Sequence, residues 1–260
     1  MSLLEIKNVS KTFVNTSGEK ITANKDICLS INSGETYGIV GESGSGKSTL
    51  ASLIAMIDSV DDGEIYFEGK CISTLKGEKQ RQVRRNIQMV FQNSGEVFYP
   101  RMKVKNIICE PLLNFKLIKK SEVKKVATEL LKQVELSEEY ADKYPHSMSG
   151  GQLQRVGIAR ALALNPKLII LDEATSALDV CIQSKIIELL ARIQKERNIT
   201  MIFICHDIGL IKSLADTVCI MKDGRVVEVL PADKLGREDN DKYTKLLLDS
   251  VFSIRNKSVV

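Results

Sequence analysis

Short, almost unbroken apolar runs recur along the chain and predict buried strands. They are "TYGIV" (Thr36–Val40), "KLIILDE" (residues 167–173) and "ITMIFICHD" (residues 199–207). Runs of four to eight apolar residues between polar ones are typical of parallel strands covered on both faces. Glycine follows the first run, two acids end the second, and a histidine lies near the end of the third. The residues that carry chemistry are therefore expected at the carboxyl ends of the strands.

Other segments have the pattern of antiparallel strands. The N-terminal runs "LLEIKNV" and "DICLSI" are separated by polar residues, and "DDGEIYFEGK" is rich in β-forming side chains. Towards the end of the chain, "TVCIMKDGRVVEVL" has Asp223-Gly224 between two apolar runs, which predicts a tight hairpin. An antiparallel β region is therefore expected beside the parallel strands.

Apolar residues at helical spacing predict the helices. One helix continues through "STLASLIAMI" (residues 48–57), and another is expected over residues 123–134. A third should follow Ser149 and stop before Asn165-Pro166, because the residue before proline disfavours helical geometry. Asp179 is a plausible N-cap for a long amphipathic helix. Residues 95–165 are thus expected to be predominantly helical.

The strongest chemical motif is "GESGSGKST", which lies between a predicted strand and a predicted helix. Gly41 to Ser48 match the pattern G-x-x-x-x-G-K-[ST], whose backbone N–H groups wrap the phosphates of a nucleotide. Lys47 is expected to reach the β- and γ-phosphate oxygens, and the Ser48 hydroxyl to bind Mg²⁺. The full set of predicted nucleotide-binding residues in this loop is Gly41, Glu42, Ser43, Gly44, Ser45, Gly46, Lys47, Ser48 and Thr49.

Two acids and a histidine at other strand ends extend this site. Asp172 and Glu173 close one buried strand, where one carboxylate can hold Mg²⁺ and its neighbour can polarise an attacking water. His206 ends another strand, on the edge of the sheet where parallel strands bind ligands. Together these residues predict hydrolysis of a nucleotide.

A second predicted phosphate-binding segment lies far from this loop in the sequence. Ser149, Gly150 and Gly151 begin a predicted helix, and a helix start with small residues can hold an anion. Because this helix belongs to the inserted helical block, it is not expected to reach the phosphates held by Lys47 of the same chain. Two chains arranged head to tail would resolve this, each serine-glycine helix closing over the nucleotide of the other chain.

The order of elements predicts an α/β fold. We expect a P-loop NTPase core, made of a mostly parallel sheet with helices and an antiparallel β subdomain, with an inserted helical subdomain. The predicted division assigns residues 1–94 and 166–230 to the nucleotide-binding core with its β subdomain, 95–165 to the helical subdomain and 231–260 to a C-terminal tail.

Composition excludes several kinds of protein. The net charge of +4 is too small for a nucleic-acid-binding surface, so no nucleic acid is expected as a partner. Six cysteines without a C-x-x-C pair exclude a disulfide framework or a zinc site, and most are expected to be buried as free thiols in a reducing cytoplasm. No apolar run approaches the ~20 residues of a membrane span, and no signal peptide is apparent.

Taken together, the motifs resemble those of the nucleotide-binding subunit of ABC transporters. "GESGSGKS" resembles the Walker A motif, "LIILDE" Walker B, and "MSGGQ" the signature, with Met148 where leucine is usual. "SALD" (residues 176–179) resembles the D-loop, and Gln92 lies at the position of the Q-loop. His206 matches the switch histidine, and Phe13 in "SKTF" matches the aromatic residue that stacks on adenine.

The resemblance implies roles for these residues, with ATP and Mg²⁺ as cofactors. Glu173 would be the general base, His206 would contact the γ-phosphate, and Gln92 would bind Mg²⁺ with Ser48 and Asp172 while coupling the site to a membrane subunit. The signature residues Ser149, Gly150, Gly151 and Gln152 would contact the ATP of a partner chain, and Asp179 would communicate across the dimer.

Finer features are similar to the importers of oligopeptides, dipeptides and nickel. "FQNSGEVFYPRMKVKNIICEPL", "SALDVCIQ" and "DKYTKLLLDSV" are close to this group. The resemblance implies a peripheral subunit on the cytoplasmic face of the cell membrane. It would pair with an identical or related ATPase, drive an integral membrane permease through its coupling helix, and serve an extracellular substrate-binding protein indirectly. Ser94, Ala174 and Cys205 depart from the pattern of the group.

Two alternative functions share some of these motifs. A soluble ABC-type ATPase acting on ribosomes or DNA generally carries two cassettes or a long coiled coil, and neither fits in 260 residues. A P-loop kinase for small molecules would leave "SGGQ", "SALD" and His206 unexplained. Peptides and nickel remain equal candidates for the transported substrate at this point.

Overall fold

The computed structural model describes residues 2–91, 98–175 and 178–257, with side chains described up to residue 249. Gln92, Ser94 and Ser176, which are named above, lie outside the described residues. By their internal contacts, the described residues up to Arg84 and those from Thr200 onward form one compact unit, and Arg85–Ile199 form another. The predicted subdomain boundaries at residues 94, 165 and 230 stay a prediction.

The strands and helices follow one another in the alternating order of an α/β chain. The strands are β1 (Ser2–Val14), β2 (Lys20–Asn32), β3 (Thr36–Val40), β4 (Asp62–Phe67), β5 (Lys70–Cys71), β6 (Ile87–Val90), β7 (Leu168–Asp172), β8 (Thr200–Cys205), β9 (Thr217–Lys222) and β10 (Arg225–Pro231). The α-helices are α1 (Lys47–Ile54), α2 (Gly77–Asn86), α3 (Val104–Asn114), α4 (Val123–Gln133), α5 (Gly150–Leu162), α6 (Val180–Arg197), α7 (Ile208–Leu214) and α8 (Lys242–Lys257).

The first unit contains parallel and antiparallel β structure, as predicted. β3 pairs in parallel with both β8 and β9, while β9 and β10 form a hairpin. That hairpin turns at Asp223 and Gly224, which both have positive φ, as a tight turn between twisted strands requires. A separate antiparallel sheet has the strand order β2-β1-β4-β5. β1 and β2 extend well beyond their predicted bounds, with register shifts along the pair.

One glycine in β3 determines how closely a helix packs on this sheet. A Cβ atom at Gly38 would lie 2.2 Å from Cγ2 of Ile211, a residue of α7. Glycine therefore lets α7 approach the strand directly. Ile211 belongs to a buried cluster with Val40 and Ile220, and the C-terminal helix α8 contributes Tyr243 and Leu248 to the same cluster.

The second unit contains the parallel pair β6 and β7 and the helices α3, α4, α5 and α6. Helices α3, α4 and α5 contact one another, and the described residues from 98 to 165 are predominantly helical, as predicted. α5 begins after Ser149 and ends at Leu162, before the Asn165-Pro166 pair. α6 begins after Asp179, whose carboxylate accepts a hydrogen bond from the Ile182 N–H, which confirms the predicted N-cap.

Two predictions about local structure were wrong. The helix after the glycine-rich loop ends at Ile54 rather than near residue 57, because Met56 has a φ of 56° and cannot continue a helix. The cysteines are all free, but only Cys109 and Cys219 are buried; Cys28 and Cys181 are exposed. Burial raises the pKa of the Cys109 thiol to about 11 and that of Cys219 to about 12, so both stay protonated at neutral pH.

None of the helices in the described part of the chain is long and apolar enough to cross a membrane.

Candidate functional site

The loop from Gly41 to Gly46 is shaped by close approaches that only glycine permits. A Cβ at Gly41 would lie 2.2 Å from the carbonyl oxygen of Met221, and a Cβ at Gly46 would lie 2.2 Å from that of Ala23. Gly46 also has a φ of 94°, in the left-handed region that disfavours other residues. Both glycines therefore let the loop fold tightly against neighbouring backbone, which is the form of a phosphate cradle.

Polar contacts from two neighbouring segments hold this loop in place. The side-chain amide of Asn24, which is completely buried, donates to the Gly46 carbonyl at 3.1 Å. On the other side, the Gly224 N–H donates to the Ser45 carbonyl at 3.2 Å. Asn24 could not be predicted as a supporting residue, because a single asparagine inside a strand gives no local signal of a tertiary contact.

Lys47 folds back over the loop that precedes it. Its ammonium group donates to the carbonyl oxygens of Gly41 at 2.8 Å and Glu42 at 2.7 Å, and to the Ser45 hydroxyl at 3.2 Å. The residue is 5% exposed, which is rare for a lysine. An ammonium group held by the oxygens of this loop is well placed to bind a negatively charged phosphate.

Helix α1 begins directly after this loop, and no side chain caps its N-terminus. Gly46 is its N-cap, whereas α5, α6 and α7 are capped by the side chains of Ser149, Asp179 and Asp207. The positive end of the α1 dipole therefore faces the loop without a side-chain oxygen of its own to neutralise it. Ser48, in the first turn of α1, is exposed.

His206 lies beside the loop at the same edge of the sheet. β3 and β8 run in parallel with Val40 opposite Cys205, so Gly41 and His206 are the next residues on neighbouring strands. His206 is exposed, and the following residue, Asp207, caps α7 by accepting a bond from the Leu210 N–H at 3.0 Å. The structure thus brings together two of the predicted site segments in the first unit.

Phe13 presents an exposed ring near the end of β1. It is 39% exposed and lies opposite Ile21 of β2, which is 51% exposed, and Lys11 Nζ is 5.4 Å from the centre of its ring. At this end, the β1–β2 ribbon therefore displays apolar side chains to solvent, whereas apolar residues farther along it, such as Leu4 and Ile27, are buried. Such a surface suits the flat face of an aromatic base.

In the second unit, Asp172 and Glu173 lie where β7 ends, and both are half-buried. Glu173 has a φ of 46°, an unusual value for a residue other than glycine, and the strand stops there. Residues held in sparsely populated backbone regions cluster at functional sites. β6 pairs in parallel with β7, with Val90 opposite Leu171, so the segment leading to Gln92 leaves the same edge of this pair.

The signature segment forms a reciprocal cap at the start of α5. The Ser149 hydroxyl accepts from the Gln152 N–H at 3.4 Å, and the Gln152 side-chain oxygen accepts from the Ser149 N–H at 3.0 Å. The Gln152 amide also donates to the Tyr140 hydroxyl at 2.8 Å, a contact that the sequence did not indicate. Ser149 and Gly150 are exposed, so the start of this helix is open to solvent.

The structure also brings the signature helix and the D-loop together within the second unit. A Cβ at Gly150 would lie 3.5 Å from Leu178, and a Cβ at Gly151 would lie 2.6 Å from Ile182 of α6. Asp179, which lies between Leu178 and Ile182 in the sequence, is exposed. Its carboxylate caps α6 by accepting a hydrogen bond from the Ile182 N–H at 3.0 Å. A conformational change in one of these segments is therefore expected to move the other.

The chain is similar to one protein family and to several known proteins. The family model described as ABC transporter matches residues 24–176, which is more than half of the chain. The oligopeptide transport ATP-binding protein OppF of Streptococcus mutans is 42% identical over 250 residues, covering 96% of this chain and 81% of that protein. The dipeptide transport ATP-binding protein DppF of Lactococcus lactis is 42% identical over 255 residues, with the same coverage of 96% and 81%.

Solved structures of ATP-binding cassettes have the same fold. The cassette MJ0796, in a dimeric post-hydrolysis state bound to ADP and phosphate, superimposes with a TM-score of 0.80 at 36% identity, covering 88% of this chain and 98% of that one. CbiO1 of Clostridium perfringens, part of the transporter complex CbiONQ, gives a TM-score of 0.79 at 31% identity, with 98% and 99% covered. The chain therefore belongs to the ABC transporter family, in which it is an ATP-binding cassette with ATPase activity.

Proposed function

We propose that this chain is the ATP-hydrolysing subunit of an ABC importer for peptides, working as a head-to-tail dimer that drives a membrane permease. The observation that carries the substrate class is the 42% identity, over 96% of the chain, with relatives named for oligopeptide and dipeptide transport. Peptides and nickel were equal candidates from the sequence, and these relatives favour peptides. Nickel remains the alternative that the experiment below must exclude.

In this proposal, ATP binds across the first unit. The backbone of Gly41 to Thr49 wraps its phosphates, and Phe13 stacks on the adenine ring. Lys47 exchanges the Gly41 and Glu42 carbonyls that it now contacts for oxygens of the β- and γ-phosphates. The exposed ring of Phe13 and the buried ammonium group of Lys47 support these two roles.

The side chains proposed to hold Mg²⁺ all carry oxygen atoms, the ligands that this hard cation prefers. Ser48 would supply its exposed hydroxyl, Asp172 a carboxylate at the end of β7, and Gln92 an amide oxygen. Among the described residues there is no cluster of three or more His, Cys, Asp or Glu that could hold a metal ion. This agrees with a cation bound mainly by phosphates and water. When bound, Mg²⁺ would neutralise charge on the phosphates during transfer.

Hydrolysis would use Glu173 and His206. The Glu173 carboxylate accepts a proton from the water that attacks the γ-phosphorus, and the bond to the bridging oxygen breaks to give ADP and phosphate. His206 contacts the γ-phosphate from the strand next to the loop. The backbone conformation of Glu173 and the register of β3 with β8 support these assignments.

A second ATPase subunit, identical or related, would complete each site. Ser149, Gly150, Gly151 and Gln152 of one chain would contact the ATP held by the other, and Asp179 would transmit the state of one site to the next. The exposed start of α5 supports this role, as does the dimeric form of the cassette MJ0796. The Ser149 hydroxyl can donate its hydrogen to a phosphate oxygen while it still accepts the bond from Gln152.

The dimer would lie on the cytoplasmic face of the cell membrane as a peripheral subunit. There, the segment around Gln92 would receive the coupling helix of an integral permease, and an extracellular substrate-binding protein would act through that permease. ATP binding would close the dimer and hydrolysis would release it, so each cycle would move the gate of the permease.

The test compares uptake in cells that carry either the native chain or Glu173→Gln in place of their own copy. We expect the variant to lose at least about 100-fold of ATP turnover, because it lacks the general base. It should retain ATP binding, accumulate as an ATP-bound dimer in light scattering, and abolish uptake of a labelled oligopeptide. An unchanged hydrolysis rate would contradict the role of Glu173.

The same cells separate the two possible substrates. Uptake of ⁶³Ni²⁺ is measured beside that of the oligopeptide, with Glu139→Gln, an exposed glutamate that is not among the predicted site residues, as the matched control. Loss of peptide uptake with unchanged nickel uptake supports the proposal. Loss of nickel uptake alone would overturn the substrate class and leave the ATPase assignment intact.

A further inference from the structure

Helix α4 ends in a hydrogen-bonded turn of the kind that usually contains glycine. The Leu136 N–H donates to the Leu131 carbonyl at 2.9 Å, and the Glu135 N–H donates to that of Lys132 at 3.1 Å. In this Schellman pattern the residue after the helix cap takes a left-handed backbone. Here that residue is Glu135, with a φ of 57°. Glycine would end the helix with less strain, so the glutamate side chain needs another explanation.

The Glu135 carboxylate binds arginines from two different helices. One oxygen accepts a hydrogen bond from Arg155 of α5, the signature helix, at 2.9 Å. The other accepts one from Arg192 of α6, the D-loop helix, at 2.7 Å. The Arg155 side chain is only 12% exposed, and it also donates to the Val134 carbonyl at 2.8 Å. One carboxylate at the end of α4 therefore joins the two helices that carry the predicted contacts with a partner chain.

The residue before this cap adds further contacts with α6. The Gln133 carbonyl accepts a hydrogen bond from Arg192 at 3.5 Å, and its side-chain oxygen accepts one from Arg197 at 2.5 Å. Glu196 lies 3.9 Å from Arg192, but it belongs to α6 itself and joins no other helix. The end of α4 thus holds two arginines of α6, with Glu135 as the residue that also reaches α5.

This junction fixes the direction of α6 relative to α5. Near their starts the two helices already touch, because a Cβ at Gly151 would lie 2.6 Å from Ile182. Arg192 lies about 15 Å farther along α6 than Ile182, at 1.5 Å per residue. Two rigid helices that touch at one place can still pivot, whereas a second contact at this distance prevents the rotation. The junction therefore keeps Ser149 and Asp179, at the starts of the two helices, in a fixed relation.

We propose that Glu135 is a positioning residue for closure of the ATP-bound dimer: by joining Arg155 to Arg192 it keeps the signature helix and the D-loop helix aligned, so that both meet the partner chain together. The inference rests on the proposed head-to-tail dimer and deepens it. Glu135 lies outside all the motifs named above. Its loss should leave ATP binding at the Gly41–Thr49 loop unchanged, because that loop belongs to the other unit.

The test is the dissociation constant of the ATP-bound dimer, measured by light scattering over a range of chain concentrations in saturating Mg²⁺–ATP. The parent chain and all variants carry Glu173→Gln, which should prevent turnover. Glu135→Gly removes the carboxylate and suits the left-handed backbone, so the end of α4 should persist. We expect it to raise the dimer dissociation constant about ten-fold. The single chain should bind ATP within about two-fold of the parent.

Arg192→Ala tests the junction without a change in the turn or in Arg155. Arg192 is exposed and alanine is a strong helix former, so the fold should be kept. The dimer dissociation constant should rise about five-fold or more, because α6 loses its attachment to Glu135. Glu196→Gln is the matched control, since it removes a carboxylate beside the same arginine but within α6. Its dimer dissociation constant should stay within about two-fold of the parent.

A double variant separates a shared junction from two unrelated contacts. Glu135→Gly combined with Arg192→Ala should dimerise at most about two-fold more weakly than the weaker single variant, because both changes break the same junction. An unchanged constant in Arg192→Ala, or effects that multiply in the double variant, overturns the proposal. Should urea unfolding show that Glu135→Gly has lost stability, the result with Arg192→Ala alone decides. A parent chain that forms no dimer would instead contradict the head-to-tail arrangement, so the two failures are distinguishable.

Discussion

Two helices of this protein begin with small residues at a predicted phosphate contact, yet their starts are built differently. α1 begins after Gly46, which has no side chain to cap it, inside a loop that closes around Lys47. α5 begins after Ser149, which forms a reciprocal cap with Gln152. The first helix directs its dipole at the loop, whereas the second satisfies its own N–H groups with side-chain oxygens.

The difference is the one expected between a site that binds ATP in a single chain and a site that contacts ATP only in a dimer. A helix start that lacks its own cap gains from an anion, while a capped start is already stable in water. Ser149 and Gly150 are also exposed, whereas Lys47 is buried. We therefore expect the Gly41–Thr49 loop to bind ATP in a single chain, and the signature helix to contact ATP only when a second chain presents it.

The largest expected effect comes from breaking the first helix start. Gly41→Ala places a Cβ 2.2 Å from the Met221 carbonyl, so the loop must move by about an ångström and ATP affinity should fall at least about 100-fold. In Gly150→Ala the new Cβ lies 3.5 Å from Leu178, an ordinary contact, and ATP affinity of the single chain should not change. Calorimetric titration with Mg²⁺–ATP measures both, and similar losses in the two variants would remove the distinction between the helices.

The next effect sharpens the comparison at the second helix start. Ser149→Arg replaces the capping hydroxyl with a bulky cation, so closure of the dimer over ATP should be blocked and turnover should fall roughly 100-fold. Binding of ATP by the single chain should stay unchanged. Ser149→Thr keeps the hydroxyl and serves as the control, with near-native turnover expected in a phosphate-release assay. Weakened ATP binding in the Ser149→Arg monomer would contradict the two-chain arrangement.

The smallest effect concerns the support of that second cap. Tyr140→Phe removes the hydroxyl that accepts the Gln152 amide at 2.8 Å, and the free energy of unfolding in urea should fall by about 1 kcal/mol. ATP affinity should not change. Tyr66→Phe removes a hydroxyl that donates to Glu64 on an exposed surface, and no measurable loss is expected there. A large drop in ATP affinity for Tyr140→Phe would show that the signature cap belongs to the single-chain site.

Local patterns predicted the parts of the fold that depend on short stretches of sequence. The buried strand Thr36–Val40, the turn at Asp223-Gly224, the helix start after Ser149 and the cap Asp179 were all predicted, because each is determined by residues within a few positions. The order of these elements was enough to predict the α/β class. The position of His206 beside Gly41 followed from the rule that parallel strands end at one edge.

Features that depend on tertiary contacts could not be read from the sequence. Helix α2 was missed because none of its residues is buried, so it has no apolar periodicity. Asn24 and Tyr140 support the two helix starts across long sequence separations, and neither has a local signature. The end of α1 was predicted too far along the chain, because Ala55 and Met56 are apolar and continue the helical pattern. In the structure the Met56 carbonyl instead accepts side-chain hydrogen bonds from Gln80 and Arg84 of α2.

The dependence of ATPase activity on chain concentration tests the central claim most directly, with the oligomeric state followed in parallel by light scattering. In the proposed head-to-tail dimer two chains enclose each ATP, so turnover per chain should rise with the fraction of dimer and approach zero where the protein is monomeric. ATP binding should persist across the whole range. Full turnover from a dilute sample that scatters as a monomer would show that one chain completes the site alone.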